Sequence, residues 1–338
     1  MTTAEATQPL RRPPTVWARA ARLQARLPVL QILVLLAVYA YGTATLDGLS
    51  SAGSIKLILV FSALAALAAL GQTLLILMGG FDLSIPGIIA ASGLVVTQLR
   101  EAWDVSFPIA LLIAIAGAAA LGALAGQICH RLDIQPLVVT LATGTIAIGL
   151  AQTQVPEGQA STASTPEWLI ELTSPIGKTF GVGIPPVVAI WAVVAVAATI
   201  FFHRTPAGRR LLATGANPRG AEYSLIRTRR LWTLAFAFSA VASALVGLLV
   251  AGLAGQVTID LGNEYLFLSV VAVIVGGTIF GGPGDYLRTC LGALLVTVVG
   301  IVLVGHGASE AVRQMVLGGA VLLSVSLYGR QRRIRDRI

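Results

Sequence analysis

The residues able to do chemistry are few and mostly uncharged. Gly71-Gln72-Thr73 precedes Gly79-Gly80-Phe81-Asp82-Leu83-Ser84, so an amide, a carboxylate and two hydroxyls share one short stretch. Asp82 lies between two apolar runs, where a carboxylate at a bilayer centre costs about 2.5–3.5 kcal/mol on insertion scales. Such a group needs a water-filled path, a helix N-terminus or the membrane interface. Two uses follow, and both stay open: polar lining for a solute, or a cap for a helix starting at Ser84. Thr140 and Thr143 add two hydroxyls about one helical turn apart. Gln72, Thr73, Asp82, Ser84, Thr140 and Thr143 are therefore the candidate lining of a translocation path.

A second group is cytoplasmic in character. Gly215-Ala216-Asn217-Pro218 opens a short helix, because Asn217 is a good N-cap and Pro218 suits the first helical position. The signals predict a surface helix from Pro218 to about Ile226, within the longest inner connection. Gly215, Asn217, Pro218, Ala221, Ser224 and Ile226 belong to this element. The seven arginines between Arg204 and Arg230 could also hold this loop on anionic lipid headgroups.

No enzyme constellation accompanies these groups. Gly177-Lys178-Thr179 has the tail of a phosphate-binding loop, but Leu172 stands where its first glycine belongs. No nucleophile elbow, zinc-protease pair or paired carboxylates occur within an apolar run. His130, His203 and His306 lie in separate segments, and Cys129 and Cys290 lack metal-ligand spacing. Neither a catalytic set, a metal site nor a structural disulfide is expected. Any ATP and Mg²⁺ used would belong to another chain.

The elements that position these residues follow from composition. Of 338 residues, 56% are hydrophobic and 11% charged, with mean hydropathy +0.85. Soluble domains carry about 25% charge, so a soluble, disordered or fibrous chain is excluded. Ten apolar runs approach the roughly 17–25 residues that cross a bilayer. They cover residues 28–46, 57–78, 83–99, 107–129, 136–153, 184–202, 231–253, 266–280, 287–304 and 311–328. The net charge of +8 would point to nucleic acid in a soluble protein; here topology explains it. With the N-terminus inside, 19 of the 23 basic residues fall on inner segments, leaving Lys56, Arg100, Lys178 and Arg313 outside. The chain divides into an inner tail 1–27, a transmembrane domain 28–328 with an inner loop 203–230, and an inner tail 329–338. The first run is longer than a signal-peptide core, so it is expected to remain as a span. Segments around Gly79-Gly80 and Gly276-Gly277 are faintly alike, as in an internal repeat or as small-residue packing.

The pattern resembles the permease subunits of bacterial ABC importers of the ribose, xylose, arabinose and galactose type. Residues 71–84 are similar to that family's G-Q-T…G-G-x-D-L-S segment. Pro136-Leu137-Val138-Val139-Thr140-Leu141-Ala142-Thr143 is similar to its P-[FL]-[IV]-V-T-L-[AG]-T. Gly215, Asn217, Ala221, Ser224 and Ile226 resemble its cytoplasmic loop, which together with Pro218 is thereby expected to couple the ATPase to the spans, and Gly281-Gly282-Pro283-Gly284 resembles its G-G-x-G. Gly220 and Leu225 replace the loop's usual Ala and Gly, and Arg219 and Glu222 alter its charge order. The resemblance implies an all-α inner-membrane permease moving a monosaccharide or similar solute. Its implied partners are ATPase subunits, a periplasmic or lipid-anchored binding protein, and a second permease, in a lipid bilayer. A permease for branched-chain amino acids or another small metabolite is the nearest alternative. A secondary transporter is the more distant one, since the spans hold few ionisable groups.

Overall fold

The computed structural model describes residue 24 and residues 28–153, 165–282 and 284–335, with side chains as far as residue 326. Most of the inner tails, the first part of the long outer connection and Pro283 lie outside the described residues. Each apolar run becomes one helix: α1 Val29–Thr45, α2 Ala52–Met78, α3 Ile85–Trp103, α4 Phe107–Leu132 and α5 Pro136–Gln152. A short α6 Glu167–Thr173 precedes α7 Pro186–Arg204. Then come α8 Pro206–Ala216, α9 Pro218–Tyr223, α10 Thr228–Ala254, α11 Asn263–Gly276, α12 Tyr286–Gly305 and α13 Glu310–Arg335. No strand occurs among the described residues; Thr179 and Val182 form one isolated bridge. Pro136, Pro186, Pro206 and Pro218 each occupy the first helical position, where the missing N–H is not needed.

Five helices, α2, α4, α7, α10 and α12, are long and apolar enough to cross a membrane. α1, α5 and α11 are apolar but shorter. Polar side chains are buried in an otherwise apolar core, and many large apolar ones face outward. Gln72, Thr73, Ser239 and Thr289 are fully buried, whereas Leu112, Leu141, Val193 and Leu322 are exposed. A bundle surrounded by hydrocarbon has no hydrophobic reason to bury leucine, so packing and hydrogen bonds decide what faces inward.

Small residues let the backbones touch. On α4, Ala110, Ala114, Ala118, Gly122 and Gly126 recur every fourth position. A Cβ on Gly126 would come within 2.7 Å of the Trp232 carbonyl on α10. α10 is the central post. Its Phe236, Ala240 and Ala244 are buried on the side toward α4, and Ser239, Ser243 and Gly247 on the side toward α2 and α3.

Two helices stop on the same device. Gly79 is left-handed at φ 86°, its N–H bonding the Ile76 carbonyl while Gly80 N–H bonds Leu75 O at 2.8 Å. Gly277 repeats this at φ 96°, with Thr278 N–H on Val273 O at 3.1 Å. Glycine adopts this conformation without the steric cost a Cβ brings. The two breaks adjoin: Phe81 stacks on Phe280 with centroids 5.1 Å apart, and Gly281 N–H bonds Ile76 O at 2.8 Å. The faint likeness of these segments thus has a shared cap geometry behind it. The left-handed turn also corrects a boundary. The run at 266–280 folds as a helix ending at Gly276, and residues 277–280 belong to the break.

Candidate translocation and coupling site

After Gly79 the chain does not stay at the end of α2. It turns back along it, so that Asp82 N–H reaches Gln72 Oε1 at 3.1 Å, about 9 Å before the helix end at 1.5 Å per residue. On the other side Asp82 meets Ser239, about 16 Å into α10. The segment is irregular backbone inside the bundle, tolerated only where protein supplies the missing hydrogen bonds. The supply is complete for three consecutive amides. Asp82 N–H has Gln72; Leu83 N–H has Thr140 Oγ1 at 2.9 Å; Ser84 N–H has Asp82 Oδ1 at 2.8 Å. The Asp82 carboxylate also accepts the Ser84 hydroxyl, and its Oδ2 accepts the Ser239 hydroxyl at 2.6 Å.

Of the six residues expected to line a path, Gln72, Asp82, Ser84 and Thr140 meet at the break, and all six are buried. Gln72, Thr73 and Thr140 are fully buried, and Asp82, Ser84 and Thr143 are 1%, 3% and 7% exposed. Thr73 donates to Ala69 O and pairs with Thr289 at 2.8 Å, tying α2 to α12. Thr143 donates to Val139 O. Gln72 Nε2 has no partner among the described residues. A solute would reach these groups only if the helices around the break part. Asp82 does not cap α3: that helix begins at Ile85 with Ser84 as N-cap, and the carboxylate bonds the N-cap residue's own N–H instead. Leu83 and Ser84 stand between Asp82 and the first helical residue, which puts the carboxylate too far ahead of the helix.

Sequence reasoning missed Ser239, Thr289 and Gly144. A Cβ on Gly144 would come within 3.0 Å of Ser84 Cα, so α5 approaches the break closely. The overlooked signal for Ser239 was its place in a small-residue stripe, Ala235-Ser239-Ser243-Gly247, one residue every four.

The coupling element is a hairpin of two helices. Thr205 caps α8 by accepting Gly208 N–H at 3.0 Å, and Asn217 caps α9 by accepting Gly220 N–H at 2.9 Å. Thr205-Pro206 is the same cap-and-proline signal as Asn217-Pro218, so α8 was equally readable. α9 ends at Tyr223 rather than Ile226 because Leu225 turns left-handed at φ 59° and Ile226 N–H bonds back to Ala221 O at 3.0 Å. Ser224 donates to Gly220 O. Leu211, Thr214 and Ala221 are buried, and a Cβ on Gly215 would overlap the Leu77 carbonyl. The hairpin is thus seated on the last turn of α2, just before Gly79. Its outer side carries Tyr223 and Leu225, 87% and 90% exposed, among seven exposed arginines. Thr228 donates to Glu222 Oε1 at 3.1 Å, so His130 Nε2, 3.0 Å from the same hydroxyl, is the donor to it. That chain ties α9 to α4 and α10.

Gly177-Lys178-Thr179 lies in a turn closed by the Thr179–Val182 bridge, and the next helix starts at Pro186. The helix that a phosphate-binding loop opens is missing there. Cys129 and Cys290 are free and buried.

A bundle with lipid-type surfaces, paired inner breaks and a capped hairpin on one of them defines a membrane-transport subunit. The chain belongs to the family described as branched-chain amino acid transport system, permease component, which matches residues 54–325. It is a multi-pass membrane component of ABC transporters, a transport subunit rather than an enzyme. The ribose import permease protein of Haemophilus influenzae is 30% identical, over 68% of this chain and 71% of that one. That of Bacillus subtilis is 30% identical over 78% and 81%. The fructose import permease protein of Bifidobacterium longum is 27% identical over 81% and 82%. No solved structure matches the chain.

Proposed function

We propose that this permease moves a monosaccharide, or a similar neutral polyhydroxylated solute, across the bacterial inner membrane toward the cytoplasm. It crosses the membrane ten times with both termini inside, and pairs with a second permease. Two ATP-binding subunits act below it and a periplasmic or lipid-anchored binding protein delivers the solute above. ATP and Mg²⁺ stay with the ATPase. The observation that carries this reading is the α8–α9 hairpin. It offers two exposed apolar side chains to a partner, while Gly215 rests on α2 beside the break that Asp82 holds. A push on the hairpin reaches Gly79 through backbone contact, with no flexible linker between. Thr73, Thr140 and Thr143, with Gln72, Asp82 and Ser84, would meet solute as that break opens.

The sugar names of the similar permeases support the solute class. An amino acid importer would need to hold an α-ammonium and an α-carboxylate, and the one carboxylate at the break is already engaged by three donors. A secondary transporter would not need an exposed docking hairpin. The test is uptake of radiolabelled ribose, fructose and other monosaccharides by the permease reconstituted with the ATPase and binding protein encoded beside it. ATP-dependent uptake of one of them is expected. Solute movement by the permease alone, or uptake of amino acids and of no sugar, would overturn the reading.

A further inference from the structure

At the opposite end of the bundle, the first turns of α2, α11 and α13 and the last turns of α12 enclose a cleft of about 630 Å³. That lies within the range of about 300–1,000 Å³ typical of small-molecule sites. Leu57 and Phe61 of α2 line it. Phe61 is about 24 Å along the helix from Leu77, where the hairpin sits, so the cleft opens on the side away from the ATPase.

Two of its wall residues keep a hydroxyl unanswered. Tyr265 is 8% exposed and Thr297 9% exposed, and neither hydroxyl has a hydrogen-bond partner among the described residues. Other buried helical threonines here, Thr73, Thr97 and Thr143 among them, turn back onto a carbonyl one turn earlier. Thr297 does not. A hydroxyl left without a protein partner at the wall of a cleft is free to bond a water or a ligand. The rim carries an ion-pair trio. Arg313 Nε meets Glu310 at 2.7 Å and its Nη2 meets Glu264 at 3.2 Å, while Gln314 Nε2 donates to Glu310 at 3.0 Å.

We propose that this cleft receives the neutral polyhydroxylated solute on the outer face of the permease, before the solute enters between the helices. The proposal rests on the monosaccharide reading above. A sugar hydroxyl both donates and accepts, so it can answer Tyr265 and Thr297 together. At the rim its hydroxyls meet carboxylate acceptors and guanidinium donors side by side, and the Phe61 ring offers an apolar wall to its C–H face. Charged solutes fit less well. Both carboxylates are already engaged by one guanidinium, so a cationic group would have to compete with Arg313 for them. The trio's net charge of about −1 repels an anion.

The experiment uses the full-length permease in lipid nanodiscs, with D-ribose and D-fructose as probes for saturation-transfer NMR. Uptake is measured in parallel on the reconstituted complex. One variant, Tyr265→Phe with Thr297→Val, removes the two hydroxyls. A second, Gly300→Leu, fills the cleft; a Cβ there meets only Arg313 Cδ, at an ordinary 3.7 Å, so the backbone is undisturbed. The imported sugar should lose at least fivefold in saturation transfer and in uptake in both variants, with ATP hydrolysis in the absence of sugar unchanged. Binding and uptake within twofold of the unsubstituted protein in both would overturn the cleft and leave the monosaccharide reading standing. So would a phospholipid that co-purifies with the unsubstituted permease and is expelled by Gly300→Leu. A complex that imports no monosaccharide at all would overturn the function, and the cleft's assignment with it.

Discussion

A carboxylate inside a bundle is held by its donors as firmly as it holds them. Asp82 accepts two bonds from Ser84 and one from Ser239, so it fastens α10 to the segment that must break. Asp82→Ala leaves three donors without an acceptor, each unsatisfied buried group costing about 1–3 kcal/mol. Asp82→Asn keeps one acceptor and should lose less. Thermal unfolding of the purified permease should rank the native protein above Asp82→Asn and Asp82→Ala lowest; equal midpoints would remove the network from the stability of the break. Thr140→Val is the companion change. It is nearly isosteric, and it strands one backbone N–H, that of Leu83, at a cost of about 1–3 kcal/mol. Amide exchange around residues 82–85 should accelerate in that variant while exchange in α4 stays unchanged.

Among the elements, the α8–α9 hairpin has the unusual feature. Leu225 occupies a left-handed position that favours glycine, and it is 90% exposed. Backbone strain of this kind costs on the order of 1–3 kcal/mol and persists where function requires it. A glycine here would relax the backbone, so Leu225→Gly should raise the unfolding midpoint slightly. It should also weaken ATPase capture, because an apolar anchor is gone. Tyr223→Ala should weaken capture without changing stability. If both variants bind the ATPase as the native hairpin does, the exposed face is not the docking face. Asn217→Ala acts differently: it removes a cap worth about 1 kcal/mol and loosens the start of α9. Bulk at Ala221 is a poorer probe than its sequence position suggests. Ala221 is 3% exposed, so a tryptophan there would unseat the hairpin from within.

For the whole molecule, the distribution of charge predicts the sidedness. The turn at residues 306–309, between α12 and α13, should face outside, and the turn at residues 133–135, between α4 and α5, inside. Cysteines placed singly in these turns should react oppositely with a membrane-impermeant thiol reagent in intact cells. Labelling of both from one side would remove the ten-crossing topology.

What the sequence determined by itself was set by short-range signals and by solvent. Ten apolar runs could only be helices, since unpaired backbone is too costly in hydrocarbon. Glycine, proline and Asn217 marked where helices stop and start, because those preferences belong to one or two residues. The likeness to transport permeases rested on residues 71–84, 136–143, 215–226 and 281–284, and the family match bears it out. Only the tertiary structure decided what those polar residues do. Gln72, Asp82, Ser84 and Thr140 read as solute lining from their chemistry alone, yet they are occupied by the backbone of a segment folded back beside them. Their partners, Ser239 above all, lie as far as 157 positions along the chain. Tyr265 and Thr297, which sequence reasoning passed over, gain interest only because no described residue bonds their hydroxyls. Helix formation is a local balance that a sequence displays, whereas the pairing of a buried polar group depends on which distant backbone arrives next to it.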